Sequence, residues 1–387
     1  MTTEKVLPQL AQVPARANGL RSDGRPPFRA DHVGSLLRPA ALRQAFRRHA
    51  AKEITAGEFR QVQDRCIRAA VRMQEEIGLK VVTDGEFRRA SYWANFLDGV
   101  EGLGLRTASL PFRDDQGHQL EFIAPRATAR LHRKQPIAVE EFRFLCQVTR
   151  VTPKVTLPSP STMHFYGSDD FGAPPPYRDL ETFFADLAEV YAAEIADLAA
   201  AGCRYLQIDE VAVALLIDPA IRDKVERAKA NPDRLIDLYI DAINRSVARR
   251  PADMVIGVHV CRGNYKGHYL AQGGYEAIAE RFFGRTDANH FLLEYDTARA
   301  GDFAPLRFVP ANKGAVLGLV SSKTPVLEKL DTLKQRVEEA SRFIALDRLA
   351  ISPQCGFASS AAGNPLTEAD QTAKLKLVVE AAEAIWK

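Results

Sequence analysis

The chain has 387 residues, a length that suits two or three domains or one large barrel. With 46% hydrophobic and 26% charged residues it has ordinary globular composition, which excludes disordered and collagen-like chains. A net charge of +3 is too small for a dedicated nucleic-acid binder, whose basic stripe would dominate the balance. No apolar run approaches the roughly 20 residues of a membrane helix. The N-terminus lacks the apolar core of a signal peptide, and five cysteines in so long a chain are no disulfide scaffold. A soluble, cytoplasmic protein is expected.

Residues 1–27 carry prolines and glycine turns with little periodicity, so a flexible arm is expected there. From Phe28 onward a short apolar run, a loop and a long amphipathic stretch keep alternating. The expected strands are Phe28–Ser35, Lys80–Glu86, Lys154–Pro158, Tyr205–Glu210, Val255–Cys261, Phe291–Tyr295, Ala315–Ser321 and Leu349–Cys355. Helical patterns fall at about 39–53, 57–77, 179–201, 221–250, 273–284, 324–346 and 366–386. The third shows its stripe clearly, with Phe183, Leu187, Tyr191 and Leu198 on one face, and ends at Gly202, a C-cap residue.

Eight strands alternating with helices imply parallel pairing through right-handed crossovers, so the expected fold is α/β, a (β/α)8 TIM barrel over residues 28–387. An open doubly wound sheet would call for a GxGxxG loop after the first strand, and His32-Val33-Gly34-Ser35 does not supply it. Residues from about 100 to 136 break the rhythm with β-like flanks around an Asp-Gln-Gly turn. They read as a β-hairpin inserted after the second strand, capping the catalytic face.

In such a barrel the active site is built from the strands' C-terminal ends, and those ends are rich in polar residues here. His259 and Cys261 are two apart on a strand, so both side chains project to one side and can share a metal ion. Cys355 ends another strand just before Gly356, and Glu294 closes an otherwise apolar run. One nitrogen, two sulfurs and one oxygen suit Zn²⁺. The bland alternative makes the two cysteines small core residues and pairs Glu294 with Arg299 or Arg262. Cys66, Cys146 and Cys203 read as structural. A zinc ion with soft ligands can exchange an oxygen ligand for a substrate thiol and hold it as the thiolate at neutral pH, which favours attack on an alkyl carbon.

Asp209 and Glu86, each at a strand end, read as captors of a substrate ammonium, against helix capping as the alternative; for Asp84 the cap is the favoured reading. His32, His164, Tyr166 and Trp93 are placed to line a cavity, with packing as their alternative. Arg88 and Arg89 follow a strand end, where they read either as solvated or as contacts to an anionic substrate.

Taken together, Asp31-His32-Val33-Gly34-Ser35, Asp84-Gly85-Glu86, Leu206-Gln207-Ile208-Asp209-Glu210, His259-Val260-Cys261, Leu293-Glu294 and Gln354-Cys355-Gly356 resemble, in order, the catalytic barrel of the cobalamin-independent methionine synthase family. The resemblance runs from about Phe28 to the C-terminus. It implies one zinc per chain on His259, Cys261, Glu294 and Cys355, and homocysteine bound near Gly34, Ser35, Glu86 and Asp209. It also implies methyl transfer to homocysteine, giving methionine, from methyltetrahydrofolate or another donor such as a methylated corrinoid. Full-length members carry a second, N-terminal barrel, for which 387 residues leave no room, and a proton-transferring histidine in the seventh-strand loop. Here that stretch, Gly318 to Lys323, has no histidine. Three other readings compete: thiol alkylation of the epoxyalkane:coenzyme M transferase type, a barrel that has lost catalysis, and a porphyrinogen-type decarboxylase. Small-molecule partners are expected, with neither nucleic acid nor membrane.

Overall fold

A computed structural model of the chain describes Leu20 and residues 23–387. The strands are β1 (Val81–Val82), β2 (Val100–Thr107), β3 (Phe112–Arg113), β4 (Gln119–Leu120), β5 (Ile123–Arg133), β6 (Thr152–Pro153), β7 (Val155–Pro158), β8 (Tyr205–Glu210), β9 (Val255–Val260), β10 (His290–Glu294), β11 (Gly314–Val320) and β12 (Leu349–Pro353). Six of them form one parallel sheet in the order β12-β11-β10-β9-β8-β7. Every residue of β7 to β12 is buried, the mark of a parallel sheet covered on both faces. Beside β7, β6 pairs in parallel with β1, and beside β12, Ala30 bridges Ile351. The fold is therefore α/β with parallel strands joined through helices.

Local chemistry sets most element ends. Helix Leu180–Ala200 starts at Asp179, whose carboxylate accepts from Thr182 N–H. It stops at Gly202 (φ +98°), where Gly202 N–H reaches Ala199 O and Cys203 N–H reaches Leu198 O, a Schellman pair. Thr55 and Glu58 form a capping box at the start of Ala56–Glu76.

The expected helix over 221–250 is two helices, Pro219–Arg227 and Pro232–Val247. Pro232 has no N–H to continue the first, and the Asn231 side chain accepts from Asp233 and Arg234 N–H to start the second. A helix not expected from the periodicity, Val139–Val148, precedes β6.

The first expected strand, Phe28–Ser35, shrinks to a short contact: Asp31 N–H reaches Ile351 O, and Ile351 N–H reaches Arg29 O. The next three carbonyls leave the ladder because side chains of neighbouring strands take them. Lys154 Nζ donates to His32 O, Gln207 Nε2 to Val33 O at 2.5 Å, and Thr83 Oγ1 to Gly34 O at 2.6 Å. These bonds free the Gly34-Ser35 turn to bend across the strand ends.

Between β1 and β6, β2 and β5 form an antiparallel ribbon, bulged at Gly102 (φ +88°). Its tip carries the small β3–β4 pair, and Arg113 pairs with Tyr269 beyond β9 through two backbone bonds of 2.8 and 2.9 Å. That contact holds the ribbon over the strand ends. Of the arm expected over 1–27, residues 1–19, 21 and 22 lie outside the described residues. Within the rest, a Cβ at Gly24 would strike Ala311 O, and Leu20 and Phe28 pack on Val81, Tyr205 and Val255.

Candidate metal centre and active site

At the C-terminal ends of β8, β9 and β12 lies a cavity of about 530 Å³, walled on its outer side by the antiparallel ribbon. His259, Cys261 and Cys355 meet at its floor, with one ligand atom from each lying within 4.8 Å of the others, all buried. Strand geometry explains the first two: Gly257, His259 and Cys261 share a phase, and His259 pairs with Asp209 on one side and Leu292 on the other. The His259 Nδ1–H donates to Leu292 O at 3.2 Å, which fixes the tautomer and leaves Nε2 as a lone pair with no partner. The two sulfurs are 3.8 Å apart, and a tetrahedral ion with bonds of about 2.3 Å places its sulfurs about 3.8 Å from each other. Contact with Cys355 and burial push the Cys261 thiol well above the ordinary range. Two buried thiols so close cannot both ionise without a cation, so the donor set fits a soft divalent metal.

Glu294 stands apart from that trio, in the place the ion-pair alternative gave it. One oxygen accepts from Arg262 N–H at 2.6 Å and the other lies 3.4 Å from Lys323 Nζ and 3.8 Å from Arg299. Burial would raise its carboxyl, but Lys323, Arg262 and Arg299 outweigh it and hold it down at about 2. A four-ligand set therefore requires Glu294 to exchange these cations for a metal.

Glu86 owes its position to backbone strain. Gly85 (φ +71°) and Glu86 (φ +60°) both adopt left-handed conformations, and Asp84 Oδ1 accepts from Glu86 N–H at 2.8 Å. Asp84 thus caps this turn, not a helix. Glu86 Oε1 accepts from Thr156 Oγ1 at 2.8 Å, while Oε2 has no partner. Asp209, also on the cavity wall, accepts from Gln207 Nε2 at 2.7 Å. Burial raises its carboxyl to about 7; Glu86 adds to this, against the pull of His259. Glu210, one residue on, points the other way and is used up by Ser159, Ser161 and Val213 N–H.

Ser35 and Trp93 line the cavity, and Gly34 leaves room for Glu86: a Cβ there would lie 3.5 Å from its Oε1 and 2.7 Å from a Thr156 methyl. Tyr166 lines it too. His32 does not. Its ring is buried beside the Val81 backbone and Gln74, and burial and the Lys154 ammonium hold its pKa at about 3. His164 is also packing, with its nitrogens on Tyr239 OH (2.8 Å) and Gly172 O (3.0 Å). Arg88 binds Asp64 and covers Phe144, while Arg89 bonds Glu141 and Thr156 and lies 3.7 Å from Glu86 Oε1; neither lines the cavity. Sequence reasoning missed Asn264, which ties Ser322 Oγ to Gly356 O beside Cys355. It also missed Gln207, although its place two residues before Asp209 on one strand was a usable signal.

The family described as the cobalamin-independent synthase catalytic domain matches residues 28–384. The uncharacterized protein YxjH of Bacillus subtilis is 40% identical over 368 residues, 93% of this chain and 95% of that protein. Methionine synthase of Pyrococcus furiosus is 24% identical over 326 residues, 84% of each chain. The crystal structure of a Listeria monocytogenes protein assigned as a vitamin-B12 independent methionine synthase superposes with a TM-score of 0.73 at 34% identity, covering 94% of this chain and 99% of that one. No helix among the described residues is long and apolar enough to cross a membrane. With a parallel α/β fold and a His-Cys-Cys cluster at its strand ends, this chain belongs to the cobalamin-independent synthase catalytic-domain family, a family of methyltransferases of methionine synthesis.

Proposed function

We propose that the chain is a zinc-dependent methyltransferase that methylates homocysteine to methionine, on a closed (β/α)8 barrel with the β2–β5 ribbon as an insert after the second strand. The supporting observation is the convergence of the unpartnered His259 Nε2 with the Cys261 and Cys355 sulfurs in a cavity that also holds two carboxylates. One Zn²⁺ per chain would be held by His259, Cys261 and Cys355, with Glu294 as the fourth ligand once it releases Lys323. Bound there, the ion would lower the pKa of a substrate thiol and make its sulfur a nucleophile at neutral pH.

The chain's own residues do the rest. Glu86, with one free oxygen, and Asp209, aimed by Gln207, receive the homocysteine ammonium. Ser35 and the Gly34 turn lie against its backbone. The ribbon shields the reacting atoms from water, and Asn264 holds the Cys355-Gly356 corner in place. A sulfonate-bearing thiol such as coenzyme M would need cations, and among the described residues no lysine or arginine lines the cavity.

The test is zinc stoichiometry followed by thiol titration. The expected result is about one zinc per chain, lost in Cys355→Ser, and proton release on adding homocysteine but not coenzyme M. A protein that takes up no zinc after reconstitution, or zinc that ignores thiols, refutes the reading.

A further inference from the structure

Three loops that carry the site meet around one buried guanidinium. Residues 34–38 follow the Asp31 contact, residues 85–92 follow β1 and carry Glu86, and residues 355–361 follow β12 and carry Cys355. Their main chains bond in pairs: Leu36 N–H reaches Gly85 O at 3.1 Å, Phe357 N–H reaches Ser35 O at 2.9 Å, and Tyr92 N–H reaches Ser359 O at 2.8 Å. Arg38 lies buried between them. Its Nη1 donates to Ala358 O at 2.6 Å, with a longer contact of 3.4 Å to Ser360 O. Its Nη2 donates to Glu86 O at 3.0 Å and to Arg89 O at 2.8 Å. One arm of the planar fork therefore grips the Cys355 loop and the other grips the Glu86 turn.

All four acceptors are main-chain carbonyls, so none brings a full countercharge. Burial pulls the guanidinium down to about 10, against Glu86 and Asp84, a cost that a neutral donor such as a glutamine amide would not carry. What the guanidinium alone supplies is the two-armed geometry: a lysine ammonium is a single point and cannot hold both loops. The Glu86 carbonyl it takes belongs to a residue in the left-handed region (φ +60°), a conformation that persists only where its surroundings impose it.

We propose that Arg38 is a positioning residue that fixes the amine-binding carboxylate Glu86 relative to the metal-bearing Cys355 loop. Arg38 is off the cavity lining, so it acts through those two residues. The inference rests on the thiol-methylation reading above. Homocysteine carries its sulfur and its ammonium on one short chain, so both ends can be held at once only if the metal and Glu86 keep a fixed separation. A misplacement of about 1 Å is enough to cost about 100-fold.

Two measurements on the full chain test this. The first compares the parent with Arg38→Lys, Glu86→Gln and, as a stability control in the buried face of helix Leu180–Ala200, Leu198→Ala. Each is read for zinc retention against a chelator. At saturating zinc, each is also read by calorimetry for its preference for homocysteine over 4-mercaptobutanoate, the same thiol without its amino group. Arg38→Lys is expected to lose about tenfold in both quantities together. Glu86→Gln is expected to lose the preference alone, and Leu198→Ala neither, although its urea midpoint falls. Parent values in Arg38→Lys, loss of one quantity without the other, or equal losses in Leu198→Ala overturn the proposal and leave thiol methylation standing. A parent that holds no zinc, or that does not prefer homocysteine, overturns the homocysteine reading and the positioning role with it. The second measurement needs no substitution, so it stands even where Arg38→Lys does not fold: amide hydrogen exchange of the parent with and without zinc. Zinc is expected to slow exchange in 85–92 as well as in 355–361, and slowing confined to 355–361 overturns the proposal.

Discussion

Replacing Lys154 by methionine tests how the buried polar network beneath the site is held together. Lys154 Nζ lies 2.7 Å from Asp31 Oδ1 and 3.1 Å from Gln207 Oε1, and it also donates to His32 O, all without solvent. Asp31 takes two further donors, Tyr205 OH at 2.5 Å and its neighbour's N–H at 2.7 Å. Lys154→Met keeps the length of the side chain but leaves Asp31 a buried anion with only neutral donors. Stranding one member of a buried pair costs about 3–5 kcal/mol. Asp31→Asn removes the stranded charge, so the double variant is expected to be more stable than the sum of the single losses by about 1–3 kcal/mol. Urea unfolding of the four proteins at pH 7 gives the coupling. Additive losses, or a Lys154→Met variant within 1 kcal/mol of the parent, would refute the assignment of Lys154 as the counterion. The same variant frees the Gln207 amide that aims Asp209, so the KM for homocysteine is expected to rise more than kcat falls.

Gly356→Ala is expected to fold but to lose zinc and thiol binding, because the new Cβ would fall on Ser35 Oγ and press on the Ser35 backbone nitrogen 3.3 Å away; retention of full zinc content would argue against so tight a corner. His164 is buried, and desolvation holds its pKa at about 4, whereas the unfolded chain takes up that proton near pH 6.5. The folded form binds fewer protons between those values, so its stability is full above pH 6.5 and declines as pH falls toward 4. The slope is about 1.4 kcal/mol per pH unit at most. His164→Phe is expected to remove that share of the slope in urea unfolding followed from pH 7.5 to 4.5, and parallel curves for variant and parent would contradict it.

The local signals in the sequence are strong. Period two put His259 and Cys261 on one side of a strand, Gly202 ended its helix, and the alternation of apolar runs with amphipathic stretches gave the α/β class and seven of the eight expected strands at about their observed places. Asn231-Pro232 was an equally local stop signal that the longer amphipathic pattern concealed.

Other features depended on residues far apart in the chain. The strand over 28–35 dissolved because Lys154, Gln207 and Thr83 took its carbonyls. Glu294 lies away from the thiols because Lys323 and Arg299 face it, and His32 turns away from the cavity toward Val81 and Gln74. Phe112 and Phe122 line the cavity from a ribbon held at Tyr269, more than a hundred residues away in the chain. Backbone period and turn chemistry are short-range and so can be read along the chain, whereas which charge meets which, and which side chains line one cavity, is fixed by packing between segments up to hundreds of residues apart.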